Sequence, residues 1–190
     1  MQMTPALRAI TIGTAALWGI LLVTGVYGVF FYRPTAAAAY ADMEVLRSEV
    51  TLGLITRWIH RTAAWLVLLL TAAGVVTAAV QSGWRRASPW AVLIPLTSAM
   101  GFTGFLLPWN QLALWSITVG TNMTGFTPVF GDNVRFVLLD GMEVSTTTLR
   151  TWLLIHILLL PLLAALVVGI AALVSRRNRT AATTTSEELT

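Results

Sequence analysis

The sequence has no cysteine and no lysine, and it holds only two histidines, His60 and His156. The missing cysteine excludes disulfides, thiolate metal sites and thioether-linked cofactors. With lysine absent, all twelve basic residues are arginine. Charge of either sign is scarce, at 11% of 190 residues, about half of what a soluble domain of this size carries. No short apolar run with a small-residue cleavage site precedes the first long hydrophobic segment, so Met1 is expected to start the mature chain. There is no internal repeat.

What fills the space left by charge is hydrocarbon. Hydrophobic residues make up 56% of the chain and the mean hydropathy is +0.77. Four runs, at about 9–31, 54–80, 89–108 and 150–174, reach the roughly 20 apolar residues that cross a bilayer core. The fold class that follows is an all-α membrane protein with four transmembrane helices. Pro34 in "FFYRPT" cannot continue the first helix, and Arg33 is placed to snorkel to the interface. The third span is expected to start after "RRASP", with Ser88 as cap and Pro89 in the first turn, and Pro95 should bend it.

The arginines sort by connection. Arg8, Arg85, Arg86, Arg176, Arg177 and Arg179 fall on one side of the membrane, where the only acids are Glu187 and Glu188. The six on the other side are balanced by Asp42, Glu44, Glu49, Asp132, Asp140 and Glu143. The positive-inside rule then puts both termini in the cytoplasm. A sequence pI near 10.7 reflects this topology and not nucleic-acid binding.

Residues 1–175 form the four-helix membrane domain, and 176–190 read as a polar, disordered cytoplasmic tail. Short interfacial helices are expected in both long connections. One is the alanine-rich "AAAAYADMEVLRSEV"; others lie within 109–149, with Trp109 and Trp115 at headgroup level. Long ordered connections commonly carry function.

His60 and His156 each lie about two turns inside a span, and both spans begin on the same side. The two imidazoles therefore share a depth. An ionisable side chain in hydrocarbon is functional by default. Two neutral imidazoles on facing helices suit the axial positions of a haem iron. The alternative is that each merely hydrogen-bonds to a neighbouring helix. Arg57, three residues before His60, stacks on the same face nearer the surface, where it can pair a propionate or anchor the interface.

The chain resembles cytochrome b6, the short four-helix cytochrome b of Rieske/cytochrome b complexes, from about Arg8 to Ser175. The segments that carry the resemblance are "FFYRPT", "SEVTLGLITRWIHR", "GFTGFLLPWNQ" with Trp115 beyond it, and "TLRTWLLIHILLLPLLAAL". It implies a left-handed four-helix bundle of the cytochrome b/b6 type with haem b held between the second and fourth spans. His60 and His156 match the axial ligands of the outer haem. Arg57 matches the arginine near its propionate, with Arg61 beside it, and Gly25 and Gly104 match glycines that clear the macrocycle. Pro161 matches a kink that tilts His156.

The family carries a second histidine on each of those helices for an inner haem. Here the corresponding positions are Gly74 and Ile170 or Ala171, and the inner clearance glycines are replaced by Thr11 and Trp90. Ala9 stands near the place of the cysteine that tethers a further haem. One haem b is therefore expected, with Trp90 filling inner volume, and no relay for electrons across the remaining ~20 Å of bilayer.

The resemblance also implies a quinone site near Pro108, Trp109, Asn110, Gln111 and Trp115; an interfacial belt with a helix stop at Pro108 is the plainer reading of those residues. Quinol oxidation needs a proton acceptor, and the spans hold no acid. In the family a glutamate from the other half of the cytochrome serves. The implied partners are the bilayer, a second membrane subunit, a Rieske iron–sulfur or other extracytoplasmic redox protein, and a second copy in a homodimer. The function expected is haem b electron transfer within a quinol-oxidising complex of a prokaryotic cytoplasmic membrane. The alternatives are a haem b anchor linking an extracytoplasmic oxidoreductase, such as a molybdoenzyme, to the quinone pool; an inner haem ligated by a partner chain; and a non-redox scaffold or transporter.

Overall fold

The computed structural model describes residues 4–122 and 145–187. Regular structure among the described residues is entirely helical: α1 (Pro5–Val29), α2 (Ala39–Ser48), α3 (Gly53–Ser82), α4 (Trp84–Leu106), α5 (Gln111–Asn122), α6 (Thr146–Leu154), a π turn (Ile155–Leu159) and α7 (Leu160–Glu187). Four segments are long and apolar enough to cross a membrane: Pro5–Val29, Gly53–Ser82, Trp84–Leu106 and Thr147–Ser175. The protein is a multi-pass membrane protein.

Helix α3 is the centre of the bundle. It packs against α1 and α4, and α4 in turn packs against the π turn and α7. The buried stripe of α3 runs Ala63, Val67, Thr71, Gly74, Ala78, spaced by three and four residues so that it stays on one face. Small side chains on that seam let backbones approach, which is how helices associate when lipid offers apolar side chains as good a home as the core does. Large residues accordingly point outward: Leu22, Leu69, Val80 and Leu162 are all well over half exposed. The inversion relative to a soluble bundle follows from the solvent.

The expected interfacial helix between the first two spans is α2, and it is clasped to the end of α1. Arg33 donates from Nη2 to Asp42 Oδ1 at 2.6 Å and from its backbone N–H to Oδ2 at 2.8 Å. Arg33 thus keeps an exposed guanidinium, as snorkelling requires, while gripping a buried carboxylate. Nearby, the Tyr32 hydroxyl donates to the Leu107 carbonyl at 2.6 Å, tying this loop to the end of α4. Burial, and then the Asp42 charge, raise the Tyr32 phenol above its ordinary value.

Hydrogen bonding from Arg33 lowers the Asp42 carboxyl below its usual range, against the opposing effect of burial. A depressed carboxyl contributes its stability above its unfolded pKa and loses it as the pH falls through the folded one. Amide protection factors in α2, corrected for the intrinsic pH dependence of exchange, are therefore expected to fall on acidification below the usual carboxylate range. Asp42→Asn should show quickened exchange at every pH, with no such step.

Two boundaries differ from the sequence expectation. Helix α4 starts at Trp84 behind Gly83, whose φ is +80°, and not after Pro89. Pro89 lies inside the helix, where it has no N–H for the Arg85 carbonyl; the Ser88 hydroxyl donates there instead, at 3.1 Å. Ser88 repairs a proline gap and does not cap. At the other end, α7 runs to Glu187, past the point where the disordered tail is expected. Extending an existing helix costs only propagation, and Arg176, Arg177, Ala181 and Ala182 are good helix formers. Within the connection at 109–149, α5 supplies one of the expected short helices; residues 123–144 lie outside the described set.

Candidate haem-ligating site

His60 lies two turns into α3, and His156 is the second residue of the π turn. The wide turn closes through the Leu160 N–H and the Ile155 carbonyl, five residues apart, immediately before Pro161. π turns of this kind recur at functional sites. Sequence reading placed a proline kink here but not the π turn that holds the histidine.

The two imidazoles face each other with ring centroids 6.4 Å apart and planes crossed at 52°. Two metal–imidazole bonds of ~2 Å each, plus the ring radii, call for a centroid separation of roughly 6 Å. The pair therefore fits one iron held from both sides. Each Nδ1 is engaged: His60 with Thr24 Oγ1 at 2.8 Å and His156 with Thr103 Oγ1 at 3.0 Å. Among the described residues, neither Nε2 has a hydrogen-bond partner. The bland alternative, a hydrogen bond across helices, is thus realised at one nitrogen of each ring, leaving the other for a ligand.

The flanking helices treat the two rings alike. Thr24-Gly25 of α1 meets His60, and Thr103-Gly104 of α4 meets His156. A Cβ at Gly25 would stand 3.3 Å from His60 Cε1, and one at Gly104 only 2.8 Å from His156 Cε1. Both glycines were expected to clear a macrocycle; the contact seen is with the imidazoles themselves. Gly101, by contrast, has nothing within 4 Å. The threonines escaped the sequence reading.

Arg57 donates from Nη1 to the Met43 carbonyl of α2 at 3.3 Å, and Arg61 is exposed. No carboxylate pairs with either among the described residues. Pro108, Trp109 and Asn110 join α4 to α5. Trp109 has φ +47°, a left-handed conformation that turns the chain back, and its ring meets Trp152 edge-on at 6.4 Å. It packs, partly buried, against an apolar cluster of Leu106, Ala113, Ile117 and Trp152. Asn110 Oδ1 accepts from the Ala113 N–H at 2.9 Å and caps α5. Gln111 and Trp115 are exposed on that helix.

The family described as cytochrome b/b6/petB matches residues 7–178, nearly the whole chain. The chain belongs to the cytochrome b family. Cytochrome b6 of Porphyra purpurea is 32% identical over 151 residues, covering 77% of this chain and 70% of that protein. Cytochrome b6 of Heliobacterium mobile is 30% identical over 145 residues, covering 74% and 68%. A chain of the solved structure titled "Hyperthermophilic respiratory Complex III" has the same fold, with a TM-score of 0.78 at 22% identity over 92% of this chain. This cytochrome b spans 48% of that chain's length.

At the opposite end of the bundle, this cytochrome b is filled. The Trp90 indole lies on Gly74 so closely that a Cβ there would stand 2.3 Å from Cε3 and 2.5 Å from Cδ2. Trp90 packs with Leu7, Ala78 and Ala87 in a cluster of its own. Ile170 is half exposed on α7, and the Thr11 hydroxyl donates to its own helix at Leu7 O, 2.8 Å. Among the described residues, that layer holds no histidine.

Proposed function

We propose that this cytochrome b is the haem b subunit of a membrane quinol-oxidising complex of the Rieske/cytochrome b type, holding one haem between His60 and His156. The observation that carries the reading is the 6.4 Å opposition of the two imidazoles, each with one nitrogen uncommitted. Haem iron supplies one-electron exchange when bound; the chain's task is to hold it, exclude water and set its potential. Arg57, whose charge meets a neutral carbonyl and no carboxylate among the described residues, is the residue to pair a propionate.

The one-haem reading rests on Trp90, which occupies the layer where a second would sit. With both termini cytoplasmic, the histidine layer lies in the outer half of the membrane, and quinone approaches near Gln111 and Trp115. Oxidising a quinol releases two protons with two electrons. The acids described, Asp42, Glu44, Glu49 and Glu187, all lie outside the bilayer-crossing segments. A second membrane subunit therefore supplies the proton acceptor, and a Rieske or other extracytoplasmic redox protein takes an electron.

Haem quantified as the pyridine haemochrome should give one haem b per polypeptide, and a redox titration of the purified subunit a single transition. Two transitions would overturn the one-haem reading, and absence of any b-type band would overturn haem binding itself.

A further inference from the structure

We infer that Thr24 and Thr103 are positioning residues that fix both imidazoles in the Nδ1–H tautomer, so that each presents an unprotonated Nε2. The inference rests on the haem reading above and adds to it what selects the ligating nitrogen.

The argument is a count of protons. A threonine hydroxyl has one hydrogen to give and two lone pairs to receive. Thr24 Oγ1 lies 2.7 Å from the Ile20 carbonyl, and Thr103 Oγ1 lies 2.9 Å from the Ala99 carbonyl, each four residues back on its own helix. Carbonyls only accept, so the hydroxyl hydrogen is spent there. What remains for the histidine is a lone pair. Nδ1 must then be the donor in both contacts. A neutral imidazole carries a single N–H, so Nε2 is left as the lone-pair nitrogen, the form a metal requires.

The same arrangement appears twice on unrelated pairs of helices, α1 with α3 and α4 with the π turn. In each, the threonine stands one residue before the glycine whose missing Cβ lets the ring approach. The glycine makes room for the imidazole and the threonine sets its orientation and protonation. An acceptor on Nδ1–H also makes the imidazole a better donor to a metal. Electron donation of that kind favours the ferric state, so the chain carries a pair of levers that lower the haem potential.

The test uses the full chain in detergent or nanodiscs. Thr24→Val and Thr103→Val keep the β-branched shape and remove the hydroxyl; Thr24→Ser and Thr103→Ser keep the hydroxyl and lose the methyl. Each valine variant is expected to bind haem about 10- to 100-fold more weakly and to show a midpoint moved to more positive potential. Each serine variant should restore both. Nitrogen-15 spectra of the histidines in haem-free wild-type protein should show Nδ1 protonated and Nε2 not, with mixed tautomers in the valine variants. Valine variants with wild-type affinity, midpoint and tautomer would overturn the inference, as would serine variants that fail to restore them. His60→Ala serves as the reference: if it keeps the b-type band, the haem reading itself has failed, whereas loss of the band with unaltered valine variants sinks only the role of the threonines.

Discussion

Replacing either histidine with alanine is expected to remove essentially all bound haem and with it the b-type absorption band. The expected effect is the largest of any single change in this chain because the two rings are the entire donor set: among the described residues no cluster of other metal-binding side chains exists, and the chain has no cysteine. His60→Ala and His156→Ala should be equally severe, since an iron clamped from both faces loses half its protein ligands in each case. Neither change should unfold the bundle. Neither ring belongs to the fully buried core, and the seams of α3 with α1 and α4 run on without them through Ala63, Val67, Thr71 and Ala78. Helix content measured by circular dichroism therefore stays near wild type while the reduced-minus-oxidised spectrum goes flat. A variant that retains the band with unchanged amplitude would show that the iron, if bound, is held elsewhere.

The second large effect is expected at Gly74. Adding one methyl group there drives a carbon to 2.3 Å from the Trp90 ring, well inside contact distance, and the indole is rigid. Either the ring leaves its cluster with Leu7, Ala78 and Ala87 or α3 and α4 separate. Overpacking a closely packed interior typically costs about 1–3 kcal/mol, occasionally more, and a rigid neighbour puts Gly74→Ala at the upper end. The control is Gly19→Ala, at a helical glycine with nothing within 4 Å, which should be neutral or slightly stabilising because alanine favours helix. Reversible unfolding in mixed detergent measures both. Pairing Gly74→Ala with Trp90→Ala should recover part of the loss, because the clash vanishes with the ring; the non-additivity is the measure of the contact. Full additivity would mean that the indole does not sit on the glycine.

Much of this was readable from residues in a row. A run of apolar residues long enough to cross a bilayer names itself, and four of them with arginines sorted by connection exclude most other architectures. His60 and His156 stood out because ionisable groups in hydrocarbon are so rare. Gly74 and Trp90 were legible as departures from a family pattern, and the structure brings them into contact. Thr24 and Thr103 were not legible. A threonine in a membrane helix ordinarily bonds back to its own carbonyl, as Thr11, Thr71 and Thr97 do. Nothing local distinguishes the two that also meet a histidine. Ser88 misled for a related reason, since a serine before a proline reads as a cap and here mends the interior of a helix.

The sequence alone determined that this protein lives in a membrane and that it has four spans, and it put two histidines at a shared depth within them. These are matters of composition and periodicity, which the bilayer's thickness and its intolerance of charge translate directly into structure. Tertiary structure decided the rest: that the rings stand 6.4 Å apart at a 52° crossing, that hydroxyls from α1 and α4 engage one nitrogen of each, and that Trp90 lies on Gly74. Such facts depend on the rotation of one helix against the next. A shift of a single residue turns a helix face by ~100°, and only the packed seams set that register.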